Sequence, residues 1–257
     1  MASPGLIIRV FKDKNEMTAF LVQKWREIAD YAIARTGFFA AALSGGTTPA
    51  DFYRGLAALK DSFPWDQTHI FLVDERFVPI SDRDSNFGMI NSLFLSRVKI
   101  PGTNIHAVII NESSPSKAAA RYEEELKRFF KLTGTELPVF DLISLGIGLD
   151  GHTASLFPEA PESQSPELRQ KIRLAISVEY DHVRHARISL TLPVINNAAN
   201  VIFVVTGERK AAIIKRVIKE RQVVFPAAMV EPSNGTLMFV LDSEAASLMS
   251  KKDNVQI

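Results

Sequence analysis

Five stretches of this chain are apolar at successive positions: "FFAAALS" (38–44), "HIFLVDE" (69–75), "VFDLISLG" (139–146), "RISLTL" (187–192) and "NVIFVVTG" (200–207). A half-exposed antiparallel strand alternates apolar with polar residues, whereas an uninterrupted run needs cover on both faces and suits a parallel sheet between layers of helix. The segments between them have helical periodicity: Met17–Arg35, Pro49–Leu59, Ser85–Arg97, Pro115–Leu132 and Glu208–Lys219. Strand alternating with helix predicts an α/β fold with right-handed crossovers, a doubly wound and mainly parallel sheet with helices on both faces. Such sheets bind ligands outside the carboxyl ends of their strands. With 257 residues, 46% of them hydrophobic, the chain can bury a large core, and a single domain over 1–257 is expected. The polar stretch "PEAPESQSPELRQ" from Pro158 reads as a surface loop, because strand-like "KIRLAISVE" follows it.

Thirty basic against twenty-nine acidic side chains give a net charge of +1, which argues against a generic binder of nucleic acid or membrane surface. The absence of cysteine excludes a disulfide framework, a thiolate nucleophile and a cysteine zinc site. No basic region precedes an apolar core at the start, and no run approaches the roughly 20 residues of a membrane span. A cytoplasmic protein is expected.

Chemistry is then sought where strands end. In "AALSGGTTPADFYRGL", a glycine turn between strand and helix leaves backbone N–H groups free to face an anion. Gly45 and Gly46 permit close approach of a phosphate, and the hydroxyls of Ser44 and Thr47 can add hydrogen bonds. Thr48 reads as the helix N-cap, Pro49 as the first helical residue and Asp51 as a capping-box acid. A plain capped turn without ligand stays open. The turn is not a Walker loop, since no lysine follows at the required spacing. In "HIFLVDERFVPISDRDSNFGMI", Asp74, Glu75 and Arg76 reach the same edge; they read as a Glu75–Arg76 salt pair or as Arg76 offering a fork to phosphate. Asp84, Ser85 and Asn86 are helix-cap types.

"GIGLDG" (146–151) has the spacing of a dinucleotide fingerprint, which must open a helix and carry an acid about 20 residues on. Here Pro158 arrives seven residues after Gly151, Asp150 sets a carboxylate where pyrophosphate would approach, and the next strand-end acid, Glu179, is too distant. The fingerprint is rejected. What remains is a glycine loop presenting Asp150 and His152, the imidazole being suited to take a proton near neutral pH with Asp150 to orient it. A structural turn histidine is the competing reading. His182 and His185 lack a third ligand at metal spacing and read as surface loop, so no metal is expected. In "VTGERKAAIIKRVI", Lys210 falls in a first helical turn, where a cation opposes the helix dipole unless an anion binds there. Arg187 opens the strand "RISLTL".

Taken in order, "LSGGTTP", "VDERFVP" with its following "SN", "GIGLDGHTASLFP", "RISLTL", "TGERKAAI" and the closing "DSEAAS" resemble the 6-phosphogluconolactonases, over nearly the whole chain. The resemblance implies a modified Rossmann-like fold shared with glucosamine-6-phosphate deaminases and with the effector domains of some sugar-responsive regulators. It implies hydrolysis of 6-phospho-D-glucono-1,5-lactone in the oxidative pentose phosphate route, without a cofactor. Carried onto this sequence, it makes His152 the general base with Asp150 beside it, and the substrate and phosphate set Ser44, Gly45, Gly46, Thr47, Asp74, Arg76, Asn86, Arg187 and Lys210. The implied partner is a small sugar-phosphate lactone, with no nucleic acid and no membrane, and the expected assembly is a monomer or weak homodimer. A deaminase pattern would have tyrosine at Arg76 and an "AFNEP" type ending at "ASLFP"; a non-enzymatic sensor could dispense with His152. "GTLMFVL" departs from the pattern where an aromatic is expected.

Overall fold

The structure, a computed structural model, describes residues 6–159, 173–179, 183–250 and 255–256. Its strands are β1 (Leu6–Phe11), β2 (Phe39–Leu43), β3 (Thr68–Leu72), β4 (Asp74–Arg76), β5 (Ile105–His106), β6 (Leu142–Leu145), β7 (Ala175–Val178), β8 (Arg187–Leu190), β9 (Asn200–Val205), β10 (Thr236–Asp242) and β11 (Val255–Gln256). Eight form one sheet in the order β11-β1-β10-β9-β6-β2-β3-β5, every pairing parallel. The continuous apolar runs explain why: all five residues of β2 and all four of β6 are buried, which only a sheet covered on both faces permits.

The longest helix, α1 (Lys14–Thr36), starts where the Asp13 carboxylate accepts the backbone N–H groups of Asn15 and Glu16, and ends at Gly37 in the left-handed region. Trp25 on its buried face meets Phe39 of β2 edge-on, ring centroids 4.8 Å apart. After β2 comes α2 (Ala50–Ala57), and α3 (Asn86–Leu93) is capped by Ser85. The fourth, α4 (Pro115–Phe130), has Ser114 as N-cap and a proline in its first turn. Tyr122 locks α4 to the sheet: its hydroxyl donates to the Leu72 carbonyl (2.6 Å) and accepts the Leu72 N–H (3.1 Å).

Three expectations are corrected. The run 69–75 is not one strand: β3 stays in the main sheet, while Asp74–Arg76 leaves it as β4. "RISLTL" is not a parallel strand either, since β8 lies between β4 and β7 in a small antiparallel sheet; burial of both faces made it look like its parallel neighbours. The helix expected over Glu208–Lys219 is a 3₁₀ turn (Glu208–Lys210), one α-helical turn (Ala211–Ile214) and a π turn (Lys215–Lys219). Most of the polar stretch after Pro158, and His182, lie outside the described residues. Among the described residues no helix is long and apolar enough to cross a membrane, and no cluster of metal-binding side chains occurs.

Candidate active site

From β2 the chain winds outward through β3 to β5, and from β6 it winds the other way through β9 to β10. The two directions part between β2 and β6, where a doubly wound sheet opens a crevice at its carboxyl edge. A cleft of about 360 Å³ occupies this place. It is lined by Ser44, Gly45, Gly46 and Thr47 after β2, Asp74 and Arg76 of β4, Asn86 of α3, the loop after β6 with His152, Arg187 of β8, and Lys210 after β9. Of the expected site residues only Asp150 is off its wall, and it bonds to His152 directly.

The loop after β6 is folded on itself. The Gly148 N–H donates to the His152 carbonyl (2.8 Å), and Gly151, at φ 85°, donates to the Gly148 carbonyl. A side chain at Gly148 would place its Cβ 2.1 Å from His152 Nδ1 and 2.3 Å from Asp150 Oδ1. Glycine is therefore what lets imidazole and carboxylate meet, with Nδ1 and Oδ1 2.6 Å apart. Asp150 also accepts the His152 backbone N–H (3.3 Å). Burial raises the Asp150 carboxyl, but the hydrogen bond and charge of His152 and backbone N–H bonds outweigh it and hold the group below its ordinary value. With the proton of the neutral ring on Nδ1, Nε2 is left as the acceptor.

Around the glycine turn after β2 the expectations are met unevenly. Gly46 adopts φ 94° and exposes the backbone. Ser44 is buried, its hydroxyl committed to the Ser144 carbonyl (2.8 Å), and Tyr53 donates to the Ser44 carbonyl; Ser44 thus ties the turn to β6 and α2. Thr48 is not the N-cap: α2 begins after Pro49 without a side-chain cap, and Asp51 pairs with Arg54 at 2.6 Å. Backbone N–H groups left uncapped at this helix start suit an anion.

The Glu75–Arg76 salt pair does not form. Glu75 is buried, and its carboxylate accepts the backbone N–H groups of Arg76 (2.7 Å), Asn86 (2.7 Å) and Phe87 (2.8 Å) and the Ser85 hydroxyl (3.2 Å). Burial nonetheless raises this carboxyl, against those bonds. Asp74 accepts from the Ser155 hydroxyl (2.6 Å) and from Asn86 Nδ2 (3.3 Å), which also reaches the Asp74 carbonyl (2.8 Å). Ser155 and Tyr53 are structural supports that sequence reasoning did not single out, and Glu75, read there as half of a salt pair, is instead a buried acceptor of backbone N–H groups.

Three buried polar atoms of the cleft residues have no hydrogen-bond partner: Arg76 Nε, Arg187 Nε and Asn86 Oδ1. Lys210 Nζ donates to the Ile147 carbonyl at 2.5 Å, and burial lowers its ammonium below the ordinary lysine value while Asp150 pulls the other way. A recess with two guanidiniums, an ammonium and an open helix start is electropositive and fits a phosphorylated ligand.

The model of the glucosamine-6-phosphate isomerases/6-phosphogluconolactonase family matches residues 12–239. The chain belongs to this family. It is similar to the 6-phosphogluconolactonase of Nostoc sp., 37% identical over 95% of this chain and 98% of that one, and to the human 6-phosphogluconolactonase, 39% identical over 96% and 95%. The crystal structure of the Thermotoga maritima 6-phosphogluconolactonase superposes with a TM-score of 0.77 at 30% identity, covering 92% of this chain and 99% of the other. A monomeric glucosamine-6-phosphate deaminase, 17% identical with a TM-score of 0.75, shares the family fold. The doubly wound architecture is thus the family's own.

Proposed function

We propose that the chain hydrolyses 6-phospho-D-glucono-1,5-lactone to 6-phospho-D-gluconate in the oxidative pentose phosphate route, with His152 as general base. The observation that carries this reading is the His152–Asp150 pair in one cleft with Arg76, Arg187 and Lys210. Water attacks the lactone carbonyl carbon and gives its proton to His152 Nε2. The resulting oxyanion faces the positive charge of the recess, where donors fixed in place need no reorganisation. Collapse breaks the bond to the ring oxygen, which takes the proton back from His152, and the new carboxylic acid ionises. Asp150 keeps the ring in the productive tautomer and stabilises the imidazolium. The turn Gly45–Thr47 with Arg76 and Lys210 holds the phosphate, with Asp74, Asn86 and Arg187 completing the substrate's surroundings. The reaction needs no redox group, and a cytoplasmic monomer or weak homodimer is our reading of where and how it works.

The test is acid release from freshly generated lactone, measured against its spontaneous opening, with glucosamine 6-phosphate offered in parallel. Accelerated opening supports the reading; ammonia from the amino sugar replaces it with the deaminase.

A further inference from the structure

Arg76 and Arg187 come from different strands, and one residue outside the cleft, Asp84, holds Arg76 itself and the segment that leads into Arg187. Its backbone carbonyl accepts from Arg76 Nη1 at 2.5 Å. Its carboxylate Oδ2 accepts from Arg184 Nη1 and from His185 Nε2, each at 3.1 Å. Those two side chains sit three and two residues ahead of Arg187, on the segment that runs into β8. The Asp84 N–H donates in turn to Asp82 Oδ1 (2.8 Å), and the next residue, Ser85, caps α3. The carbonyl that touches Arg76 and the carboxylate that anchors the Arg187 segment therefore belong to one braced residue.

We propose that Asp84 is a positioning residue for anion recognition, setting the mutual placement of the Arg76 and Arg187 guanidiniums without touching the substrate. This rests on the lactonase reading only in naming the anion as a sugar phosphate. Recognition by two guanidinium forks is sensitive to small misplacement, so loss of the brace weakens binding.

A purely electrostatic role for Asp84 makes the opposite prediction. Its carboxylate offsets Arg184, His185 and, at 3.9 Å, Arg83. Removing it makes the rim more positive, so if charge alone mattered, anions would bind as well or better, most visibly at low salt. The sign of the effect separates the two.

The experiment measures binding of 6-phosphogluconate and of inorganic phosphate, together with lactone kinetics, for wild type, Asp84→Ala and the double variant Arg184→Ala/His185→Ala. Asp84→Ala is expected to bind 6-phosphogluconate about tenfold more weakly and to raise KM in step, with kcat within about twofold. The double variant removes the anchor from the other side and is expected to reproduce the loss. Unchanged or tighter binding in Asp84→Ala at low salt, or an unaffected double variant, overturns the proposal. Wild type that binds phosphate but not the sugar acid would sink the lactonase reading, while the phosphate titration still decides the role of Asp84. Wild type that binds neither sinks both.

Discussion

Arg76 and Arg187 stand directly opposite each other in the antiparallel β4–β8 pair, each with a buried Nε lacking a hydrogen-bond partner. Like charges at opposed positions destabilise a sheet, and the strain is visible in Arg187: burial first, then the charge of Arg76, lowers its guanidinium below the ordinary value against the pull of Asp74, Asp84 and Glu75. Such an arrangement becomes favourable when an anion joins the two. Arg187→Met is therefore expected to leave the melting temperature of the ligand-free protein unchanged or raise it, while abolishing most of the stabilisation by 6-phosphogluconate. For wild type that stabilisation is about 2.7 kcal/mol at about 100 times Kd. Thermal denaturation with and without ligand reads both effects; equal ligand stabilisation in the two proteins would contradict the pairing.

Gly148 is the second point of control. Its missing side chain leaves room for His152 and Asp150, which a Cβ would meet at 2.1 and 2.3 Å. Gly148→Ala is expected to separate the pair and lower kcat about 10²-fold, the scale of a misplaced catalytic group, with KM little changed. Gly102, whose added Cβ meets nothing within 4 Å, serves as the neutral control when replaced by alanine.

Asp150 acts through charge as well as geometry. Asp150→Asn keeps an acceptor for the imidazole but removes the carboxylate that stabilises its cationic form, so kcat is expected to fall about 10²-fold or more. Steady-state kinetics decide this, and a variant within a factor of three of wild type would leave the carboxylate without a role.

Away from the cleft, half-buried His69 meets buried His106, Nδ1 of His69 lying 3.1 Å from Nε2 of His106, whose Nδ1 meets Glu125 Oε1 at 2.6 Å. Burial, then the charge of His106, lowers His69 to about 4. Its folded value thus lies below its unfolded value of about 6.5, so protonation favours the unfolded chain. The stability it contributes is complete above about pH 6.5 and is lost as pH falls toward about 4. Urea midpoints at pH 7.5 and 5 are expected to drop in acid for wild type and to drop less for His69→Gln, which keeps a donor for His106 without titrating. An identical drop in both would rule out His69 as the cause.

The parallel sheet was legible because runs such as Phe39–Leu43 are apolar on both faces, and only a double layer of helices accommodates that. The loop after β6 was legible as a site because Pro158 and Asp150 spoil the dinucleotide pattern and leave His152 at a strand end. What escaped was whatever depends on partners distant in sequence. Ile188 and Leu190 are as buried as residues of the main sheet, so apolar pattern could not tell the antiparallel β8 from a parallel strand. Strand β1, next to the sheet edge, has Arg9 interrupting its apolar residues and lacks the continuous apolar signal. Thr48 has the chemistry of an N-cap, but the turn at Gly45 and Gly46 moves the helix start past Pro49. Glu75 looked like half of a salt pair at a strand end because two of the N–H groups it accepts, from Asn86 and Phe87, lie 11 and 12 residues away.

In the proposed mechanism His152 takes the proton of the attacking water. The most direct measurement is lactone hydrolysis by His152→Ala beside Lys210→Ala and wild type, corrected for spontaneous opening. His152→Ala is expected to lose about 10²- to 10⁴-fold in kcat at nearly unchanged KM, while Lys210→Ala chiefly raises KM. A His152→Ala enzyme that keeps kcat and loses only affinity would contradict it.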